Sequence, residues 1–187
     1  MNPEPQPIGE NTHAIFAHHH HLPIRRTVRR GQGKARDWWR QGALDHEWWE
    51  STYEDAANVG LKITSFDTDR GNSITGDFEG DAASCANKIL KDHGKDCPTY
   101  KVAEAFLEER QALQDKYDAA YEADEDWRVT RKIEESIGEL DDEFKRAILE
   151  EYLHILRGEA DYLMEDAQVD EAIRANEYEF LESGKRA

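Results

Sequence analysis

Several things are scarce in this chain, and each scarcity excludes something. Only two cysteines, Cys85 and Cys97, occur in 187 residues. No disulfide framework can hold such a fold, and two free thiols suit a reducing compartment. Proline is nearly confined to one end: Pro3, Pro5, Pro7 and Pro23 are four of the five. No apolar run approaches the roughly 18 residues of a membrane span, and no signal-peptide pattern opens the chain. Hydrophobic residues make up 38% and charged residues 35%, so most of the surface must be ionic. Positive charge is scarce too: 24 Lys and Arg stand against 41 Asp and Glu, a net of −17. A body this negative repels a phosphate backbone, so direct nucleic-acid binding is not expected. No nucleophile elbow, phosphate loop or dinucleotide fingerprint is present, which points to a non-enzymatic protein without a cofactor.

What charge there is lies unevenly. Residues 1–40 hold seven bases and three acids, a net of +4, and residues 41–187 hold 17 bases and 38 acids, a net of −21. A basic segment thus leads an acidic body. Either the segment folds back to lower the self-repulsion of the body, or the body imitates nucleic acid in a partner's basic groove, or Arg25 to Arg40 touch phosphate themselves. The last is disfavoured, because the body repels the same polyanion.

The pattern along the chain predicts an α+β fold, mainly α: a helical bundle packed on a small antiparallel sheet. Residues 1–26 read as a flexible arm and 27–187 as a single domain. Proline density keeps the arm from helix, and Ile15 and Phe16 are its apolar anchors. Its run His18–His21 is either an added affinity tract or a native one, with no carboxylate or thiol at ligand spacing. Helix is expected over Thr27–Arg40, and again over Gly42–Gly60 with Asp45 as cap and Gly60 as stop. The doublets Trp38-Trp39 and Trp48-Trp49 each send one ring to the core and one to its margin, since helical neighbours diverge by about 100°. Leu61-Lys62-Ile63-Thr64-Ser65-Phe66-Asp67 alternates, with Leu61, Ile63 and Ser65 on one face and Phe66 on the other. With Asn72–Phe78 it predicts a hairpin over 61–79, Gly71 taking the positive φ of the turn. Helical period returns over 81–93. It returns again in a stripe of Val102, Phe106, Leu113, Tyr117 and Tyr121, and over 127–166 with breaks expected at Gly138 and Gly158. The two long stripes predict an antiparallel helical pair. A short helix follows at Val169–Ala175. Tyr178–Glu182 then reads as a third strand on the hairpin, with continued helix as the alternative.

Three groupings have the outline of a metal or catalytic site. Asp67-Thr68-Asp69-Arg70-Gly71 resembles the start of a calcium loop, but Gly71 falls fifth, Asn72 sixth and Phe78 twelfth, which breaks the ligand order. Cys85, His93 and Cys97 could supply three zinc ligands but lack the close pairing zinc sites use. Carboxylate pairs such as Glu104/Glu108 and Glu135/Glu139 arise by chance among so many acids. No metal is therefore expected. More informative is the density of acids on the two long helices: residues three or four apart sit about 5–6 Å apart, so two such rows resemble in density a DNA strand with a phosphate every ~3.4 Å of axis, the alternative being that these are solvated faces.

Trp48-Trp49-Glu50-Ser51-Thr52-Tyr53-Glu54-Asp55 and Gly60–Asp67, together with His93-Gly94 and Ile173-Arg174-Ala175-Asn176-Glu177-Tyr178-Glu179-Phe180, resemble a widespread family of small phage and prophage proteins. That family is largely uncharacterised and is sometimes labelled antitoxin-like. The resemblance covers residues 34–184, implies a phage protein acting in the host cytoplasm, and transfers no active site. Together these readings predict a protein that binds a host protein with a basic nucleic-acid-binding groove. It would act without touching nucleic acid or membrane, and would inhibit a host-defence complex by nucleic-acid mimicry. The residues expected to carry this are Glu134, Glu135, Glu139, Asp141, Asp142, Glu122, Asp124, Glu125 and Asp126. Trp38 and Trp48 would serve the alternative, an antitoxin-like partner with an aromatic interface.

Overall fold

The computed structural model describes Leu22–Pro23 and residues 29–187, with side chains from Gly31 onward. The remainder of the predicted arm, with Ile15, Phe16 and the His18–His21 run, lies outside the described residues. The elements in chain order are β1 (Leu22–Pro23), α1 (Arg29–Arg40), α2 (Glu50–Asn58), β2 (Leu61–Asp67), β3 (Ser73–Phe78), α3 (Ala82–Asp92), α4 (Pro98–Glu122), α5 (Trp127–Met164), α6 (Asp166–Ala175) and β4 (Glu179–Phe180). The fold is α+β and mainly α, as expected. Contacts divide it into two compact units: one holds the residues up to Gln41 with Val169–Ala187, the other Gly42–Gln168. No helix among the described residues is long and apolar enough to cross a membrane.

In the first unit, Ala35, Val169, Ile173 and Phe180 form a small buried core, with Trp38, Trp39 and Tyr178 packed against it. The C-terminal strand does form, but its antiparallel partner is β1, with Leu22 opposite Phe180, and not the hairpin. The Arg36 guanidinium donates to both oxygens of Asp170, at 2.7 and 2.6 Å. A bidentate, half-buried pair of this kind fixes α1 against α6 in both position and angle.

In the second unit, α2 is shorter than predicted. Gly42, Asp45 and His46 form turns instead, with the Asp45 N–H bonded to the Gly42 carbonyl. The chain then enters the hairpin of β2 and β3, whose register breaks between Ile63 and Ser65. Thr64 and Ser65 hydroxyls both bond Thr75 Oγ1, at 2.9 and 2.6 Å. The extra residue is a β-bulge, and it inverts the alternation beyond it. Phe66, expected opposite Leu61 and Ile63, instead meets Trp48, Trp49 and Tyr53 at ring separations of 5.6, 5.6 and 6.0 Å. At the turn, Asp67 accepts the N–H groups of Asp69, Arg70 and Gly71. Those bonds hold its carboxyl below the usual range. The positive φ falls on Asn72, at 44°, rather than on Gly71.

α3 starts at Asp81, whose carboxylate accepts from the Ser84 N–H and hydroxyl at 2.8 and 2.7 Å; such caps contribute about 1 kcal/mol. Its inward face supplies Cys85, Ala86 and Ile89 to a core shared with Val59, Leu61, Phe106, Phe144, Ile148 and Tyr152. α4 opens on Pro98, where the missing N–H costs nothing. α4 and α5 run for 25 and 38 residues, about 37 and 57 Å at helical rise. Phe106 and Phe144 stack with centroids 4.2 Å apart, and Arg110 Nε donates to Asp141 at 3.0 Å. As residue number rises on one helix it falls on the other, so the pair is antiparallel, as predicted. α5 runs unbroken through both Gly138 and Gly158. Neither glycine has a neighbour within 4 Å of where a Cβ would stand, so neither marks a close approach.

Gly76 is different. A Cβ there would lie 2.7 Å from the Lys62 carbonyl and 2.9 Å from Leu149 Cδ2, because α5 lies directly over β3. Gly76→Ala is therefore expected to lower stability by about 1–3 kcal/mol. Gly138→Ala should raise it by about 1 kcal/mol. Denaturant melts of the two variants check both signs.

Candidate functional site

The far end of the α4–α5 hairpin is closed by four residues. Asp124 takes a left-handed φ of 52°, and its N–H reaches the Tyr121 carbonyl while that of Glu125 reaches Ala120. These bonds terminate α4 in the manner of a Schellman cap. Asp126 then accepts the Arg128 N–H at 3.0 Å and starts α5. The two helices leave this turn side by side with little covering them: α5 has no buried residue before Phe144.

The predicted acidic residues all lie on this hairpin, but they divide into two groups. Four are neutralised locally. Asp126 pairs with Arg128 at 2.9 Å, Glu135 with Arg131 at 3.0 Å, Asp141 with Arg110 at 3.0 Å and Asp142 with Lys145 at 3.4 Å. The Glu134 carboxylate beside the Tyr117 hydroxyl pushes that phenol above its ordinary range. The others, Glu122, Asp124, Glu125 and Glu139, carry no ion pair among the described residues, and three of these four sit at the turn. The shaft also carries acids without an ion pair to lysine or arginine among the described residues, such as Glu108, Glu109, Glu143 and Glu150, so negative charge extends along the hairpin and is relieved only at scattered pairs.

Trp38 and Trp48, expected to serve the alternative interface, are both half-buried. Trp38 sits edge-on to Tyr178 and Phe180 beneath the Arg186 guanidinium. Trp48 sits edge-on to Trp49 and Phe66. The presented aromatics are others. Tyr121, read as part of an inward stripe, is 72% exposed, and Trp127 is 60% exposed. Tyr121 stacks on Tyr117 with centroids 6.4 Å apart. The Arg128 and Arg131 guanidinium carbons lie 5.4 and 5.9 Å from the Trp127 ring centroid, close enough for cation–π attraction to hold the indole. One signal could have found Trp127: its helical neighbours at three and four positions on, Thr130 and Arg131, are polar, so it has no apolar stripe to join.

The Cys85, His93, Cys97 grouping does not assemble. Cys85 is in the core, where burial pushes its thiol up to about 11, while Cys97 is exposed at the start of α4. Among the described residues no group of three or more His, Cys, Asp or Glu is placed to hold a metal ion. In the Asp67 loop the carboxylate is already taken up by backbone N–H groups. Comparison with family models, with curated proteins and with solved structures gives no match, which leaves geometry as the guide to function.

The contact between Tyr117 and Glu134 makes the hairpin register measurable. The Tyr117 phenol should ionise at higher pH than a free tyrosine, and Glu134→Gln should bring it back toward the ordinary value. A spectroscopic pH titration of the two proteins, resolved at Tyr117, checks this.

Proposed function

We propose that this is a non-enzymatic binding protein that grips a partner protein with the tip of the α4–α5 hairpin. One observation carries the reading: two large aromatic side chains, Tyr121 and Trp127, stand exposed beside Glu122, Asp124 and Glu125, which carry no ion pair among the described residues. Exposed aromatics flanked by charge resemble interface anchors more than ordinary surface, because burying either ring on a partner removes a large apolar area from water. The acids Glu122, Asp124 and Glu125 select a cationic rim and speed encounter with it. The partner is accordingly a protein with a basic groove that also offers an apolar pocket.

The finer reading is that this groove otherwise holds nucleic acid and that the tip competes for it. Pairing of Asp126, Glu135, Asp141 and Asp142 within the hairpin weakens its phosphate likeness at those points. A host protein as partner, and a phage setting, rest on the sequence resemblance alone.

The test is capture from bacterial lysate on immobilised wild-type protein, followed by affinity measurement with the protein retained. Trp127→Ala combined with Tyr121→Ala should weaken binding roughly a hundredfold or more, the scale of an aromatic hot spot. A Glu122→Lys, Asp124→Lys, Glu125→Lys triple variant should act through the association rate and through salt, with binding falling between about 0.15 M and about 0.5 M NaCl. A control with Glu135, Asp141 and Asp142 changed to Lys should bind nearly as wild type. Equal capture by both tip variants, or a loss confined to the control, overturns the reading.

A further inference from the structure

β2 and β3 form a sheet of two strands, so each has one edge that the other does not pair. The two edges differ in cover. β2 places Leu61 and Ile63 in the core, whereas no residue of β3 is buried. The phase of the ladder tells which groups of β3 lie on its outer edge. The Glu79 N–H donates to the Gly60 carbonyl at 2.9 Å. From there Leu61 stands opposite Phe78, Lys62 opposite Asp77 and Ile63 opposite Gly76. Antiparallel pairs alternate between bonded and unbonded. Gly60–Glu79 and Lys62–Asp77 are therefore the bonded pairs, and Phe78 and Gly76 turn their N–H and C=O groups away from β2. The extra residue of the bulge belongs to β2, so β3 keeps its own alternation and Ile74 turns outward too.

That outer edge is open. Among the described residues, no backbone group outside the ladder bonds Ile74, Gly76 or Phe78. The Phe78 N–H meets only its neighbour Asp77, whose Oδ1 accepts it at 3.0 Å. Gly76 has no side chain, and Leu149 presses on it where a Cβ would stand, yet it stays partly exposed. What solvent reaches at Gly76 is main chain. A row of open N–H and C=O groups on a six-residue strand is a template for a further strand.

The surroundings narrow what can pair there. α5 lies over β3. A second copy paired antiparallel at this edge would bring its own α5 alongside at about one strand spacing, ~4.8 Å, where packed helices need about 8–10 Å. The occupant is thus an extended segment with no helix on that face. On the other face stands Asp77, its side chain 78% exposed. Its contacts with the Phe78 N–H and with Lys145 Nζ, at 3.4 Å, both use Oδ1, which leaves Oδ2 for a cation on a neighbouring strand. We propose that β3 takes an extended segment of a partner protein as a third strand. Its residues alternate apolar and polar, with a Lys or Arg beside Asp77, and the residue across from Gly76 is a large apolar one that covers the missing side chain.

Panning a displayed library of random octapeptides on the full chain, then following amide exchange by NMR with the best synthetic peptide, tests this. Enriched peptides should alternate apolar and polar and carry Lys or Arg. In the free chain the Gly76 amide should exchange faster than that of Asp77, which points at β2. Peptide at about ten times its dissociation constant should slow Gly76 exchange about tenfold. N-methylation of the peptide at the residues that bond β3 should abolish binding, and at the intervening residues should spare it. Asp77→Asn should weaken binding several-fold. The Trp127→Ala, Tyr121→Ala protein should bind as wild type, which separates this edge from the α4–α5 tip. A Gly76 amide already protected in the free chain, equal loss from both methylation patterns, or a library with no enriched peptide overturns the proposal.

Discussion

Three phenylalanine rings fix everything that the larger unit presents to its surroundings. Phe106 of α4 lies flat on Phe144 of α5 at 4.2 Å, and Phe78 of β3 also stacks on Phe144, at 5.7 Å. Flat, closely spaced rings resist sliding, because dispersion contact is lost over the whole face at once. The stack therefore sets the register of the helical pair against the hairpin beneath it. Arg110 meets Asp141 and Tyr117 meets Glu134 because Phe106 meets Phe144 first. Beyond that point the two helices need only each other, and a four-residue turn closes them.

Charge follows the same division. An excess of acids this large destabilises a compact state through self-repulsion. Along the hairpin the repulsion is relieved at three pairs, Arg110, Arg131 and Lys145 against Asp141, Glu135 and Asp142, while acids such as Glu108, Glu139 and Glu150 carry no ion pair among the described residues. Exposed pairs contribute only about 0–1 kcal/mol each, so their main consequence is to flatten the local potential. At the turn there are no cations to spare except Arg128, and it is engaged with Asp126 and the Trp127 ring.

Much of this architecture was legible in the residues. Period two over 61–67 and period 3.6 over 98–121 and 127–164 each correspond to an element, because core burial enforces those periods regardless of what lies opposite. The features that were not legible depend on partners remote in sequence. Nothing local announces the bulge at Thr64. It arises where Thr64 and Ser65 both reach Thr75, and it alone moves Phe66 to the side of Tyr53. The C-terminal strand was visible in Tyr178–Glu182, but its pairing with Leu22–Pro23 was not, since two-residue strands carry no register signal. Tyr121 kept the spacing of the inward stripe and still faces solvent, because α5 at that level offers only its own first turn to cover it. Pairing of the acids was hidden for a similar reason: Asp141 finds Arg110 across the hairpin, 31 positions away.

The contact region proposed at the hairpin tip lies at the start of α5, and that placement has a physical basis. From Phe144 to Leu156 one face of the helix is held by the core. Tyr152, within that stretch, also ties down α2 by donating its hydroxyl to Asp55 at 2.8 Å. The first turn of α5 has no core beneath it and instead holds Trp127 by its own arginines. A single long helix can thus anchor the fold in its middle and present a large side chain at its start, since burial in one stretch neither requires nor restricts exposure in another.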